Sequence, residues 1–191
     1  FYKIKEANLM SEFSEAYFLK TNDTQEAEQL LKNSHLEGYI SEESHNGWVV
    51  ILPDKENFEP CSEIIENNKG ILLHYQYSED GGLFFALYKE NREISSYENS
   101  FDGMVYNDED LNLDDLISTL GLSDKEADEI KKIFEDISEA FEEDDDDFEE
   151  SCDLIENLRC KFMEVLKITP DEYEWMSYHY ASLEDDGISI K

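Results

Sequence analysis

This 191-residue chain has few cysteines, prolines and glycines (three, three and eight), and only 15 lysines and arginines. So little proline and glycine excludes a linker-rich protein. The cysteines Cys61, Cys152 and Cys160 form no CxxC pair, so we expect reduced thiols and a cytoplasmic protein. The sequence also lacks a run of about 18 apolar residues, which excludes a membrane-spanning helix.

Acidic side chains dominate the charge. The chain has 49 aspartates and glutamates, and its formal net charge is −34 at pH 7. A surface of this sign repels phosphate, so direct nucleic-acid binding is not expected. High charge and a mean hydropathy of −0.64 are typical of disorder, but eleven tyrosines, eleven phenylalanines and two tryptophans can build a core. We therefore expect a folded protein.

The first half of the chain has the pattern of an antiparallel sheet with two helices on one face, an α+β fold. Asp23 and Glu26 form a capping-box-like helix start, and Pro60 suits the first turn of a second helix. Apolar and β-branched runs joined by short turns predict the order β-α-β-β-α-β-β-β. The predicted strands cover residues 16–20, 36–40, 48–52, 71–77, 83–88 and 94–97.

The second half has the pattern of a helical region. Asn112 is expected to cap a short helix that ends at Gly121, and Ser123 and Glu126 form a capping box for the next helix. Apolar side chains at helical spacing continue from Phe148 onwards, and residues 169–172 form a further capping box. We predict a sheet domain over residues 1–106 and an acidic helical region over residues 107–191 packed on it.

An acidic run is the main unusual feature, with eight carboxylates among the nine residues 142–150. Such a run can be a solvated loop leading into a helix N-terminus, where the macrodipole favours negative charge. It can also be a docking surface for a basic partner, or a metal site. The docking hypothesis assigns partner binding to this run, with a second patch at the turn near residue 110: Glu142, Glu143, Asp144, Asp145, Asp146, Asp147, Glu149 and Glu150, then Asp108, Glu109 and Asp110.

Carboxylate clusters can bind calcium. Asp108, Asp110 and Asn112 have the opening spacing of an EF-hand loop, but Leu113 occupies its glycine position and Thr119 the position of its bidentate glutamate. The run at 144–147 has no glycine at the required place either. We therefore predict no metal site and no cofactor.

Catalytic signatures are absent from the sequence. It contains no GxSxG, GxGxxG, GxxxxGK[ST] or HExxH motif, so we expect a protein that is not an enzyme. The alternative is a small enzyme or ligand-binding module with a pocket on the sheet near His74, a candidate general base, with Tyr75, Tyr77 and Glu79 close by. A deep pocket around His74 would favour this alternative.

Charge therefore favours an acidic binding protein that inhibits a basic macromolecule. Carboxylates on rigid helices can imitate nucleic-acid phosphates and occupy the basic groove of a toxin, nuclease or other nucleic-acid-handling protein. In size, acidity and α+β character the chain resembles bacterial toxin-immunity proteins (antitoxins) and phage-type anti-restriction or anti-CRISPR inhibitors that act as DNA mimics. The resemblance includes no motif, and it implies an immunity protein slightly more than a phage inhibitor.

Overall fold

A computed structural model describes residues 13–55, 59–78, 82–100, 105–142, 148–168, 177 and 188–190. Within these ranges the strands are β1 (Phe13–Lys20), β2 (Gly38–Ile40), β3 (Trp48–Pro53), β4 (Ile71–Ser78), β5 (Gly82–Lys89), β6 (Arg92–Ser100), β7 (Val105–Asn107) and β8 (Ile188–Ile190). The helices are α1 (Thr24–Asn33), α2 (Ser62–Asn67), α3 (Leu113–Leu120), α4 (Asp124–Glu142) and α5 (Phe148–Val165). All strands join one sheet in the order β7-β6-β5-β4-β1-β3-β2-β8, and every neighbouring pair is antiparallel.

The predicted α+β fold is confirmed, because the order β-α-β-β-α-β-β-β runs from β1 to β6 and helices follow. Several predicted bounds were wrong: β1 begins at Phe13 and not at residue 16, and β6 extends over Arg92–Ser100 and not only over residues 94–97. The second strand begins at Gly38 and not at residue 36, and α2 begins after Cys61, so that Pro60 precedes the helix. The helix predicted to follow Thr169 lies outside the described residues, apart from Ser177.

The strands β7 and β8 were not predicted from the sequence. Each has three residues, too few for an alternation of apolar and polar side chains to be recognised. β7 extends across the predicted boundary between residues 106 and 107, and β8 pairs with β2 at the other edge of the sheet. The sheet therefore takes strands from both predicted regions.

Helices cover both faces of the sheet. Successive strand residues point to opposite faces, so the apolar strands β1, β4 and β5 supply two cores. The first core lies under α1 and α2 and includes Tyr17, Leu31, Ile64, Leu72 and Ala86. The second lies under α3, α4 and α5 and includes Phe18, Tyr75, Leu116, Ile133 and Leu158.

Four aromatic rings join the sheet to α4 and α5 in the second core. Phe85 of β5 stacks on Phe162 of α5, with ring centroids 4.5 Å apart and planes 21° apart. Phe134 of α4 meets Tyr97 of β6 edge-on at 5.2 Å. Aromatic pairs with these geometries add to the free energy gained by burial alone. The helical layer is thus fixed to the sheet by direct packing.

None of the helices in the described parts of the chain combines the length and apolar character needed to cross a bilayer.

Candidate partner-binding surface

The second predicted patch lies in the turn that leads from β7 to α3. Asp108, Glu109 and Asp110 are all exposed. The backbone N–H of Leu111 donates to the carbonyl oxygen of Asp108 at 2.9 Å, and Ser96 of β6 donates its N–H to the carbonyl oxygen of Asp110 at 3.1 Å. The first bond closes the acidic turn, and the second attaches the turn to β6.

The start of α3 brings further carboxylates to the same place. Asn112 caps the helix as predicted, because its Oδ1 accepts a hydrogen bond from the backbone N–H of Asp115 at 3.0 Å. The backbone N–H of Asn112 itself donates to Oγ of Ser95 on β6 at 2.9 Å. Asp114 and Asp115 therefore lie in the first turn of α3, where the helix dipole favours their negative charge.

A shallow depression of about 650 Å³, which we call the acidic depression, lies between this turn and α4. Four carboxylates and one ammonium line it: Glu109, Asp110, Asp114, Glu135 and Lys131. Lys131 Nζ lies 3.0 Å from Oδ1 of Asp114. One positive charge against four negative charges leaves the lining with a net charge of −3.

Part of the wall of the acidic depression is apolar, formed by Ile94, Leu111 and Leu113. A lysine or arginine side chain has a matching character, because its methylene stem packs on apolar surface while its charged head stays near solvent. Asp114 and Lys131 are 87% and 45% exposed, so their ion pair contributes little stability of its own. The depression can therefore accept a basic side chain without first breaking a strong internal pair.

The first predicted patch, the acidic run, is described in part. Glu142 ends α4, and Glu149 and Glu150 lie in the first turn of α5; for these residues only the backbone is described. Residues 143–147 lie outside the described residues. Seven residues are nearly two helical turns, so Glu142 lies on the same face of α4 as Glu135, about 10 Å along the axis. The helical spacing of α4 therefore places the start of the first patch and Glu135, close to the second patch, on one face of the same helix. The sequence alone did not show this relationship.

Sequence reasoning missed Asp114, Lys131 and Glu135. The Asn112 cap was a usable signal for Asp114, because it places that residue in the first helical turn beside the acidic turn. Glu135 had no comparable local signal, since its place depends on how α4 packs beside α3.

The alternative site near His74 is not assembled as predicted. The side chain of His74 is fully buried, and its ring stacks on Tyr17 with centroids 4.4 Å apart. Tyr75 and Tyr77 point to the opposite face of the sheet, into the core under α3–α5. Glu79 lies outside the described residues. A general base must reach its substrate, and this environment gives His74 no opening to solvent.

Within the described part of the chain, no three histidine, cysteine, aspartate or glutamate side chains are grouped so as to hold a metal ion. Cys61 is buried and Cys160 is exposed, and neither forms a disulfide. Burial raises the pKa of the Cys61 thiol, and partial desolvation raises the pKa of the exposed Cys160 thiol. Glu63 beside Cys61 and Glu156 beside Cys160 add to the effect. Both therefore stay protonated and weakly nucleophilic at neutral pH.

Comparison of the chain with protein-family models, characterised proteins and solved structures finds no match. Its function is therefore inferred from its own residues and their geometry.

Proposed function

We propose that this protein is a non-catalytic acidic binding protein that neutralises a basic macromolecule. The observation that carries the proposal is the net charge of −34 together with the acidic depression. There a turn and the start of α3 bring Glu109, Asp110 and Asp114 together, and α4 adds Glu135 from 21 residues further along the chain. A charge held in this way on packed elements is presented in a fixed arrangement, as a partner-binding surface requires.

The partner that fits this surface is a basic protein: a toxin, a nuclease or another nucleic-acid-handling protein. Such proteins expose lysines and arginines in grooves that attract phosphates. An acidic protein that fills the groove excludes nucleic acid from it, as an immunity protein or a DNA mimic would. Of these two, we favour an immunity-type inhibitor.

Binding would proceed in two stages. Long-range attraction between the acidic protein and the basic partner raises the association rate, and this effect weakens as salt screens the charges. Close contact then places a basic side chain of the partner in the acidic depression and others along the run at 142–150. Exposed ion pairs are individually weak, so affinity depends on many of them forming together.

The test uses two variants with the same change in net charge. The site variant carries Glu109→Gln, Asp110→Asn, Asp114→Asn and Glu135→Gln. The control variant carries four neutralisations at exposed positions in other parts of the surface: Glu37→Gln, Glu42→Gln, Glu43→Gln and Glu66→Gln.

The partner is first captured from lysate at low salt with the wild-type protein, eluted by a salt step and identified. Its Kd is then measured for the wild type and both variants. We expect the site variant to bind at least about tenfold more weakly and the control to lose much less, with affinity falling steeply as salt increases. Equal losses in the two variants, or a Kd that does not change with salt, would contradict the proposal.

A further inference from the structure

A polar cluster lies buried within the α1–α2 side of the sheet. It consists of Glu15 on β1 with His74 and Gln76 on β4, and their side chains are 1%, 0% and 8% exposed. Gln76 Nε2 donates to Oε1 of Glu15 at 3.3 Å, and Nε2 of His74 lies 3.5 Å from the same oxygen. Buried polar groups of this kind are costly unless they are paired, so their protonation states matter for stability.

Aromatic rings enclose the imidazole of His74. Tyr17, which is its register partner on β1, stacks on it with an interplanar angle of 13°, and Phe84 of β5 meets it edge-on at 5.5 Å. The Nδ1 atom of His74 is buried and has no hydrogen-bond partner. A proton added at Nδ1 would therefore enter a site without an acceptor for its N–H group.

Few charged groups face His74 from the elements around it. From β1 it meets Glu15 and the phenol of Tyr17, and the neighbouring residues of β5 are Phe84 and Ala86. Further along, Tyr88 contacts Glu93, and the Cys61 N–H before α2 donates to the Tyr17 hydroxyl at 2.7 Å. α1 contributes apolar residues to this core. Among these described neighbours, Glu15 is the charge placed to stabilise an imidazolium.

We propose that His74 is an acid-sensitive switch in the sheet, which stabilises the pairing of β1 with β4 while neutral and weakens it when protonated. Burial lowers the pKa of His74 below its ordinary value of 6.5, and the contact with Glu15 opposes this only in part. Because the folded-state pKa is lower than the unfolded one, the unfolded chain takes up the proton first. The stabilisation is therefore complete above about pH 6.5 and is lost as the pH falls below it.

The size of the effect follows from the linkage relation. If His74 stays neutral in the folded state, its contribution lowers the folding equilibrium constant about tenfold between about pH 7.5 and about pH 5.5. The full chain is unfolded with urea at both pH values and constant ionic strength, as wild type, His74→Gln and His35→Asn. His35 is the matched control, because it is exposed and its positive φ of 57° is one that asparagine tolerates.

We expect His35→Asn to lose as much stability in acid as the wild type, since both share all the carboxylate titrations. Between the two pH values, the folding equilibrium constant of His74→Gln should fall by a factor about ten times smaller than that of the wild type. An equal loss in His74→Gln and wild type would overturn the proposal.

A second measurement needs no variant. The imidazole C2 proton of His74 in the wild-type protein is followed by NMR as the pH is lowered. We expect it to titrate well below pH 6.5, and we expect the protection factors of the β1 amides, which are corrected for the intrinsic exchange rate, to fall as the pH is lowered. A folded-state pKa at or above 6.5 would overturn the proposal even if His74→Gln fails to fold.

Discussion

The indole Nε1 of Trp48 in β3 donates a hydrogen bond of 3.0 Å to the carbonyl oxygen of Leu166, just after α5 and 118 residues further along the chain. This bond pairs a buried indole N–H with one of the carbonyl groups that a helix end leaves without an intrahelical partner. Beside it, Asn46 Nδ2 donates to the carbonyl oxygen of Lys167 at 2.8 Å. The two bonds attach the end of α5 to the first residue of β3 and to the turn before it.

Replacing Trp48 with phenylalanine should destabilise the protein by about 1–3 kcal/mol, because the Leu166 carbonyl then loses its donor while remaining buried. The unfolding free energy in urea measures this. Lys20→Met is the control, since it removes only the ammonium that lies 4.4 Å from the Trp48 ring centroid, a contact worth about 0.5–1 kcal/mol at an exposed site. Equal effects of the two substitutions would show that the hydrogen bond to Leu166 is unimportant.

Phe162→Ala should cost about 3–5 kcal/mol, because it leaves a cavity where Phe85 stacks on the ring. Phe162→Leu keeps most of the volume and should cost less. Circular dichroism and tryptophan fluorescence during thermal unfolding provide the measurement. If both variants were as stable as the wild type, the sheet and α5 would not share one core.

The capping box of α4 should make stability depend on pH. The backbone N–H of Ser123 donates to Glu126 Oε2 at 2.8 Å, and Lys167 Nζ lies 2.9 Å from Glu126 Oε1. These two contacts lower the pKa of Glu126 to about 2. This folded-state pKa lies below the ordinary 4.5, so the stabilisation is present above about pH 4.5 and is lost as the pH falls towards 2.

The difference in unfolding free energy between wild type and Glu126→Gln should therefore shrink from about pH 7 to about pH 3. Asp128→Asn on the same helix is the control, with an exposed carboxylate. A wild-type-to-Glu126→Gln difference that stays constant over this range would be evidence against the capping interaction.

Self-repulsion at a net charge of −34 should make the melting temperature rise with salt. Screening between about 20 mM and about 300 mM NaCl weakens repulsion among exposed carboxylates more than it weakens buried contacts. Calorimetry or fluorescence melting measures the rise in melting temperature. The site variant described above, which carries four fewer negative charges, should show a smaller rise. A melting temperature that falls steadily with NaCl would contradict this expectation.

The local parts of the fold could be predicted from the sequence. Asn112, Gly121 and the Ser123 capping box mark helix ends through contacts between residues three or four positions apart, so their signals are visible in the chain. The acidic depression was predicted only in part, because Glu135 joins it through the packing of α4. The separation of His74 from Tyr75 follows from strand alternation and could have been recognised.

The position of β1 in the middle of the sheet has a consequence for how the chain is made. Phe18 pairs with Val50 on one side and with Leu73 on the other, 32 and 55 residues later. At typical rates of synthesis, about 5–20 residues per second, β1 waits several seconds on the ribosome before both of its neighbours exist. Until then a strand of largely apolar residues has two unpaired edges, so the nascent chain is most exposed to aggregation, and most in need of a chaperone, before β4 emerges.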